Sequence, residues 1–328
     1  MGGVKVGVVG AGFMGSVHLS AYAKMPEVEV VGVADTDPEN ATAGAALVGA
    51  RAYSTYEELV RSEEVDVVDV CLPTGFHRDL ALAVARDGKH LILEKPIART
   101  LEDADEILGA FEEGDARLFV GHVVRFFPEY VRIKNMVEDG SLGKVGVART
   151  SRRSPLLMGW NDWYADWRVS GGVLVDLLIH DFDFLRWCFG EVERVYARGV
   201  LGREHNRLDY ALVTLRFEGG EISHLEGHWG YPGAFNYSIE IAGSKALVTA
   251  DSTEPSSLRL TGGAPESGGL APVGKSPYQS ELEHFVRCIE GGEEPIVSGK
   301  DARAALAISA AAIESIRTGE PVRPGGAR

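Results

Sequence analysis

The feature that most limits what this chain can fold into is Gly10-Ala-Gly12-Phe13-Met14-Gly15, a G-x-G-x-x-G that directly follows the apolar run Val4–Val9 and opens a helix-like run. A strand that turns this abruptly into a helix begins a βαβ unit, and the glycine spacing is that of a dinucleotide-binding turn. Gly10 permits the tight turn, Gly12 lets a pyrophosphate approach the backbone, and Gly15 lets helix and strand pack closely. The helix N-terminus supplies N–H groups and a partial positive charge for phosphate. Asp35 ends the second apolar run, twenty residues after Gly15. A carboxylate there accepts hydrogen bonds from ribose hydroxyls and repels a 2′-phosphate. Two like charges ~4 Å apart near a surface cost on the order of 4 kcal/mol. No Arg or Lys lies between Thr36 and Ala50 to offset this, so the cofactor expected is NAD in preference to NADP.

The rest of the N-terminal part fits that start. Short, nearly continuous apolar runs at Val4–Val9, Val28–Ala34, Val65–Cys71, His90–Glu94 and Arg117–Val120 read as parallel strands covered on both faces. Helices fit between them. Asp37-Pro38 places a cap before an N1 proline, and Thr55…Glu58 and Thr100…Asp103 resemble capping boxes. The alternation predicts an α/β Rossmann domain with a doubly wound parallel sheet over 1–120. From 121 to 328 the pattern changes. Helix-like Glu129–Asp139 precedes strand-like Val145–Ser151, an aromatic-rich stretch from Trp160 to Trp167, and an apolar helical segment from about Gly172 to Cys188. Strand candidates follow at Val192–Val200, Ala211–Phe217, Glu221–Trp229, Tyr237–Ala242 and Ala246–Ala250, separated by turn signals. They predict an α+β domain with an open-faced, mostly antiparallel sheet that binds substrate and mediates oligomerisation. Thr261 to Pro277, with five glycines and three prolines, reads as a flexible loop, and 279–290 and 300–318 as helices free to pack back on the first domain.

A formal net charge of −15 disfavours a nucleic-acid or membrane-surface role. Cys71, Cys188 and Cys288 are far apart and form no C-x-x-C, which argues against a disulfide framework or a thiolate zinc site. The expected compartment is the cytoplasm, and no cleavable leader is recognisable before the first strand. The longest apolar runs, such as 304–313, fall short of the ~20 residues of a membrane span.

Three further features bear on chemistry. Glu94-Lys95-Pro96 ends the strand run His90–Glu94, where open α/β sheets place their ligand crevice. Lys95 there can face a nicotinamide or a substrate hydroxyl, although a strand-end lysine also suits a solvated surface. Gly171-Gly172-Val-Leu-Val-Asp176-Leu-Leu-Ile-His180-Asp181 sets Asp176 and His180 four apart in an apolar segment. On one helix face they suit a general base with its orienting carboxylate, or equally a satisfied core pair. His224 and His228 read as ordinary sheet histidines, and no metal site is expected.

With these residues the chain resembles the Gfo/Idh/MocA oxidoreductase family, which includes inositol dehydrogenases and glucose–fructose oxidoreductase. The resemblance runs through the glycine turn, Pro73-Thr74 with His77, Gly88…Glu94-Lys95-Pro96, Trp167-Arg168, Gly171-Gly172…Asp176…His180-Asp181, and Tyr278…Glu281…Phe285. It implies that Lys95 contacts the reacting hydroxyl and the nicotinamide, that His180 takes the hydroxyl proton, and that Asp176 binds substrate or orients His180. It implies cofactor contacts by Pro73, Thr74, His77, Glu94, Trp167, Arg168 and Tyr278, and a homodimer or homotetramer built through the second sheet. The function expected is an NAD-dependent dehydrogenase of a sugar, sugar derivative or cyclic polyol. The alternatives are a keto-sugar reductase, an NAD-using glycoside hydrolase of the same fold, and a dinucleotide sensor. Arg152, Arg153, Trp160, Asn161, Trp163 and Tyr231 are candidates for recognising the polyhydroxylated substrate, because planar polar and aromatic groups suit sugar rings.

Overall fold

A computed structural model describes residues 3–325 apart from 113, 206–207, 255–257 and 263–274. The chain divides into two compact units, Met1–Phe126 with Gly274–Arg303, and Phe127–Val273 with Ala304–Arg328.

The first unit alternates strand and helix as its sequence demands: β1 (Val4–Val9), α1 (Phe13–Tyr22), β2 (Val28–Ala34), α2 (Pro38–Val48), β3 (Arg51–Tyr53), α3 (Tyr56–Ser62), β4 (Val67–Val70), α4 (His77–Arg86), β5 (His90–Glu94), α5 (Leu101–Glu112) and β6 (Leu118–Gly121). The predicted caps form. Asp37 accepts from the Glu39 amide ahead of Pro38, Thr55 Oγ1 accepts from the Glu58 amide at 3.2 Å, and Thr100 Oγ1 accepts from the Asp103 amide at 3.1 Å. All six strands pair in parallel in the order β3-β2-β1-β4-β5-β6. The strand order reverses between β1 and β4, and the carboxyl ends there define the ligand crevice of such a sheet. The three-residue β3 went unpredicted because Arg51–Tyr53 contains no apolar run. The core draws on Val6, Val8, Leu19, Val33 and Ile92, and also on Leu282, Phe285 and Val286 of the late helix α9 (Pro277–Ile289).

In the second unit, α6 (Pro128–Glu138), β7 (Val145–Ser154), the short α7 (Trp167–Ser170) and α8 (Ile179–Phe189) precede β8 (Val192–His205), β9 (Leu208–Phe217), β10 (Ile222–Trp229), β11 (Asn236–Gly243), β12 (Ala246–Asp251) and β13 (Leu258–Gly262). These seven strands order as β13-β12-β11-β7-β10-β9-β8. All pairs are antiparallel except β7 with β10. One face is buried and the other open. Ser223, Leu225 and Trp229 are buried on β10, while His224, Glu226 and His228 line the open face. A helix α10 (Gly299–Thr318) crosses from the first unit's last residues into the second.

The structure corrects the expected single helix from Gly172 to Cys188. Val173–Leu177 form a π-turn, and α8 starts only at Ile179. The Leu178 amide reaches back to the Val173 carbonyl at 2.9 Å, and the Leu174 carbonyl that an α-helix would have given it meets Ser309 Oγ at 3.0 Å instead. The predicted loop from 261 to 277 falls mostly on 263–274, outside the described residues; Thr261 and Gly262 finish β13, and Pro277 begins α9.

Candidate active site

In the first unit, four strand ends carry the residues read as a cofactor site: Gly10–Gly15 after β1, Asp35 after β2, Pro73 and Thr74 after β4, and Glu94 with Lys95 at the end of β5. Gly10 has φ +92, and a Cβ on it would lie 2.6 Å from the Cys71 carbonyl oxygen. A Cβ on Gly15 would lie 1.9 Å from the Gly10 carbonyl oxygen. Both positions therefore exclude any side chain. Gly12, by contrast, has nothing within 4 Å of where its Cβ would stand, and it caps α1 with no side-chain hydrogen bond. The first turn of α1 contains no acid, and Phe13 is almost fully exposed. An open glycine under uncapped helix amides fits a dinucleotide pyrophosphate.

Asp35 is half-buried, and backbone amides engage both its oxygens. Ala11 N donates to Oδ2 at 2.7 Å and Asp37 N donates to Oδ1 at 2.8 Å. The carboxylate thus fixes the glycine turn and keeps further lone pairs for ribose hydroxyls. Thr74 is buried in the turn before α4. Tyr278, at the start of α9, places its ring 6.3 Å from that of His18.

His77 takes a different part from the one its position suggests. Its side chain is fully buried, with Nδ1 2.8 Å from the Pro96 carbonyl and Nε2 2.9 Å from the Leu72 carbonyl. Both ring nitrogens face backbone carbonyls, and the neutral ring donates its single N–H to one of them. His77 ties the loop after β4 to the turn that carries Lys95. Burial holds its pKa below the ordinary imidazole value, against the pull of the two carbonyls.

Sequence reasoning overlooked a buried polar network in this unit. Tyr22 Oη donates to Asp69 Oδ2 at 2.8 Å, and His18 Nδ1 lies 2.8 Å from the same oxygen. His18 Nε2 lies 3.2 Å from Glu94 Oε1, and Glu94 Oε2 accepts from the Lys95 amide at 3.0 Å. Burial raises the Glu94 carboxyl, but His18 and Lys95 outweigh it and hold the group below its usual pKa. His18, Asp69 and Cys71 place one ligand-type atom each within 4.8 Å of one another. Their closest approach is a hydrogen-bond distance, shorter than the roughly 3.3 Å between two donors on a tetrahedral zinc. The signal was Asp69 in the middle of the apolar run 67–71, which has no reason to be there unless partnered.

In the second unit, Asp166 caps α7 by accepting from the Arg168 amide at 2.9 Å. Trp167 and Arg168 are exposed there, and Gly171 ends the helix at φ +74. The π-turn follows, carrying the buried Asp176, and His180 sits half-buried in the first turn of α8. Single π-turns inside helices change which side chains share a face, and they are frequent at functional sites. Trp163 stacks on Tyr164 at 4.0 Å, and Tyr164 meets Trp229 edge-on at 5.7 Å.

Arg152 is not available to a substrate. It is buried, its Nε donates to Asp181 Oδ2 at 2.8 Å, its Nη2 donates to Tyr130 Oη at 3.2 Å, and it lies over the Tyr237 ring. Arg153, two-faced by strand alternation, instead turns to the open face and pairs with Glu226 at 3.1 Å.

Comparison with known proteins agrees with this layout. Residues 4–122 match the model of an oxidoreductase family with an NAD-binding Rossmann fold, and 130–249 match that of the GFO/IDH/MocA C-terminal domain. A myo-inositol 2-dehydrogenase of Thermotoga maritima is 31% identical, covering 98% of each chain. An inositol 2-dehydrogenase of Rhizobium meliloti is 30% identical over 95% of this chain and 97% of its own. The crystal structure of the WlbA dehydrogenase from Bordetella pertussis, in complex with NADH and UDP-GlcNAcA, superposes with a TM-score of 0.87 at 25% identity and 98% coverage of both chains.

Proposed function

The chain belongs to the Gfo/Idh/MocA family of oxidoreductases, and we propose that within it the protein is an NAD-dependent dehydrogenase acting on a secondary alcohol of an inositol-like cyclic polyol or a related sugar. The observation that carries this reading is the intact set Lys95, Asp176 and His180, in a chain whose full-length relatives are named inositol dehydrogenases.

When bound, NAD supplies the hydride acceptor. The chain's own residues handle position and protons. Gly10, Gly12 and Gly15 with the first amides of α1 hold the pyrophosphate, Asp35 takes the ribose hydroxyls, and its charge selects against a 2′-phosphate. Lys95 donates a hydrogen bond to the reacting hydroxyl oxygen and stabilises the charge that develops there. His180 accepts the hydroxyl proton, and Asp176 orients the imidazole. Pro73, Thr74, Glu94, Trp167, Arg168 and Tyr278 serve as cofactor contacts, and Trp163 as an aromatic platform for the ring. NADH fluorescence over myo-inositol, scyllo-inositol, aldoses and sugar acids, repeated with NADP, tests this. NADH formation with a cyclic polyol is expected. Tightly retained NAD, glycoside cleavage and no net NADH would overturn the reading.

A second copy of the chain is proposed to cover the open sheet face, where Leu212, Ile222 and Tyr196 are exposed beside the Arg149–Glu240 and Arg153–Glu226 pairs. Light scattering should report a dimer or tetramer, and Leu212→Glu should shift it towards monomer. Cytoplasmic residence is proposed because Cys71, Cys188 and Cys288 are far apart in the chain and form no C-x-x-C. No helix among the described residues is long and apolar enough to cross a membrane.

A further inference from the structure

We propose that His18 is a positioning residue: a buried imidazolium that bridges Asp69 and Glu94 and thereby fixes the backbone from which Lys95 projects. The inference rests on the dehydrogenase reading for Lys95, and on geometry within the first unit for the rest.

His18 lies in α1, three residues after Gly15, and is 1% exposed. Its two ring nitrogens face two different carboxylates, Asp69 Oδ2 at 2.8 Å and Glu94 Oε1 at 3.2 Å. A neutral imidazole has one N–H and would turn a lone pair towards one of these carboxylates. The doubly protonated ring donates to Asp69 and turns its second, positively charged N–H edge towards Glu94 Oε1 at 3.2 Å, an ion-pair contact without hydrogen-bond geometry. It also neutralises part of a buried double negative charge that would otherwise be very costly. The groups packed around the ring support the charge. Asp69 and Cys71 approach from β4 and the residue after it, Glu94 from β5, and Tyr22 from α1 itself, while α9 adds the Tyr278 ring and, near Tyr22, Glu281. Burial opposes protonation, but the Asp69 charge leads the opposing effects, and the pKa stands well above the ordinary imidazole value. The chain of contacts then runs from Tyr22 to Asp69, to His18, to Glu94, and to the Lys95 amide at 3.0 Å. It bolts the helix headed by the glycine turn to the strand end that presents Lys95, and none of its atoms needs to touch substrate.

The test uses the whole protein with uniformly 15N-labelled histidine, the His18 signals being assigned by their loss in His18→Gln. Both ring nitrogens are expected in the protonated range at pH 7.5 and still at pH 8.5. One unprotonated nitrogen at pH 7.5 overturns the proposal. Because removing the cation from between two carboxylates can unfold the chain, His18→Gln/Asp69→Asn is the working variant. It is expected to fold, to bind NAD within about threefold of wild type, to lose roughly tenfold or more in kcat, and to lose hydrogen-exchange protection at the Lys95 amide. Unchanged protection at Lys95 overturns the positioning role. The nitrogen shifts and the amide exchange are read without any substrate, so absence of turnover on every polyol would sink the dehydrogenase reading and leave this one decided on its own evidence.

Discussion

Arg152 and Asp181 form a buried pair with Nε 2.8 Å from Oδ2, joining the C-terminal part of strand β7 to the first turn of helix α8, where His180 is the adjacent residue. An arginine in this place serves the frame that carries His180. Removing one partner leaves an uncompensated buried charge, at a cost of about 3–5 kcal/mol. Arg152→Met should therefore lower the thermal midpoint sharply, and Arg152→Met/Asp181→Leu should regain most of the loss. If Arg152→Met is as stable as wild type and only KM for the polyol rises, the arginine is a substrate ligand after all.

Gly15 leaves no room for a methyl group, since its Cβ would stand 1.9 Å from the Gly10 carbonyl oxygen. Gly15→Ala should distort the turn and weaken NAD binding by about a hundredfold or more, a few kcal/mol of lost phosphate contacts. Isothermal titration with NAD measures this directly. Wild-type affinity in the alanine variant would show that the turn is not where the dinucleotide binds.

Asp35→Ser tests cofactor choice. The serine keeps a small acceptor near the ribose and removes the negative charge. NAD affinity should fall about tenfold, in line with loss of a charged hydrogen bond, and NADP affinity should rise, so that the NAD:NADP ratio of kcat/KM collapses. An unchanged ratio would assign the preference to other residues.

For the chemistry itself, Lys95→Ala and His180→Ala are each expected to cost about 10²–10⁴ in kcat while NAD still binds. Tryptophan quenching on NAD addition monitors the second property alongside NADH production. Full turnover in both variants would remove these side chains from the reaction.

Cys71 lies at the mouth of the glycine turn but should be inert. Burial, reinforced by Asp69, pushes its thiol up to about 12. At pH 8 its thiolate fraction is then about three orders of magnitude below that of an ordinary cysteine. Mass-spectrometric mapping after iodoacetamide treatment should find Cys71 unmodified in the folded protein. Rapid alkylation there would mean that the thiol is far more ionised than its surroundings imply.

What was legible in the sequence was local. The glycine turn, Asp35, the caps at Asp37, Thr55 and Thr100, and the βα alternation depend on neighbours within a few residues, and each appears where its spacing placed it. What was not legible depended on distant partners. His77 looked like a ligand until its two carbonyls, one of them 19 residues away, were in view. Arg152 looked like a substrate anchor until Asp181, 29 residues on, was seen to claim it. The π-turn at Val173–Leu177 escaped because an apolar run reads the same in either helix, and the deciding hydroxyl, Ser309, is 135 residues from Leu174.

The presence of Leu282, Phe285, Val286 and Cys288 in the core of the first unit has a consequence for how the chain is made. A ribosome that has released residues 1–126 has delivered every strand of the six-stranded sheet, yet an apolar patch around Leu19, Tyr22 and Phe119 stays wet while about 150 further residues are synthesised. During that interval the nascent sheet is a client for chaperones. A stop codon just before α9 would yield a nucleotide-binding unit with its own seam unsealed, prone to aggregate although no residue of its glycine turn is missing.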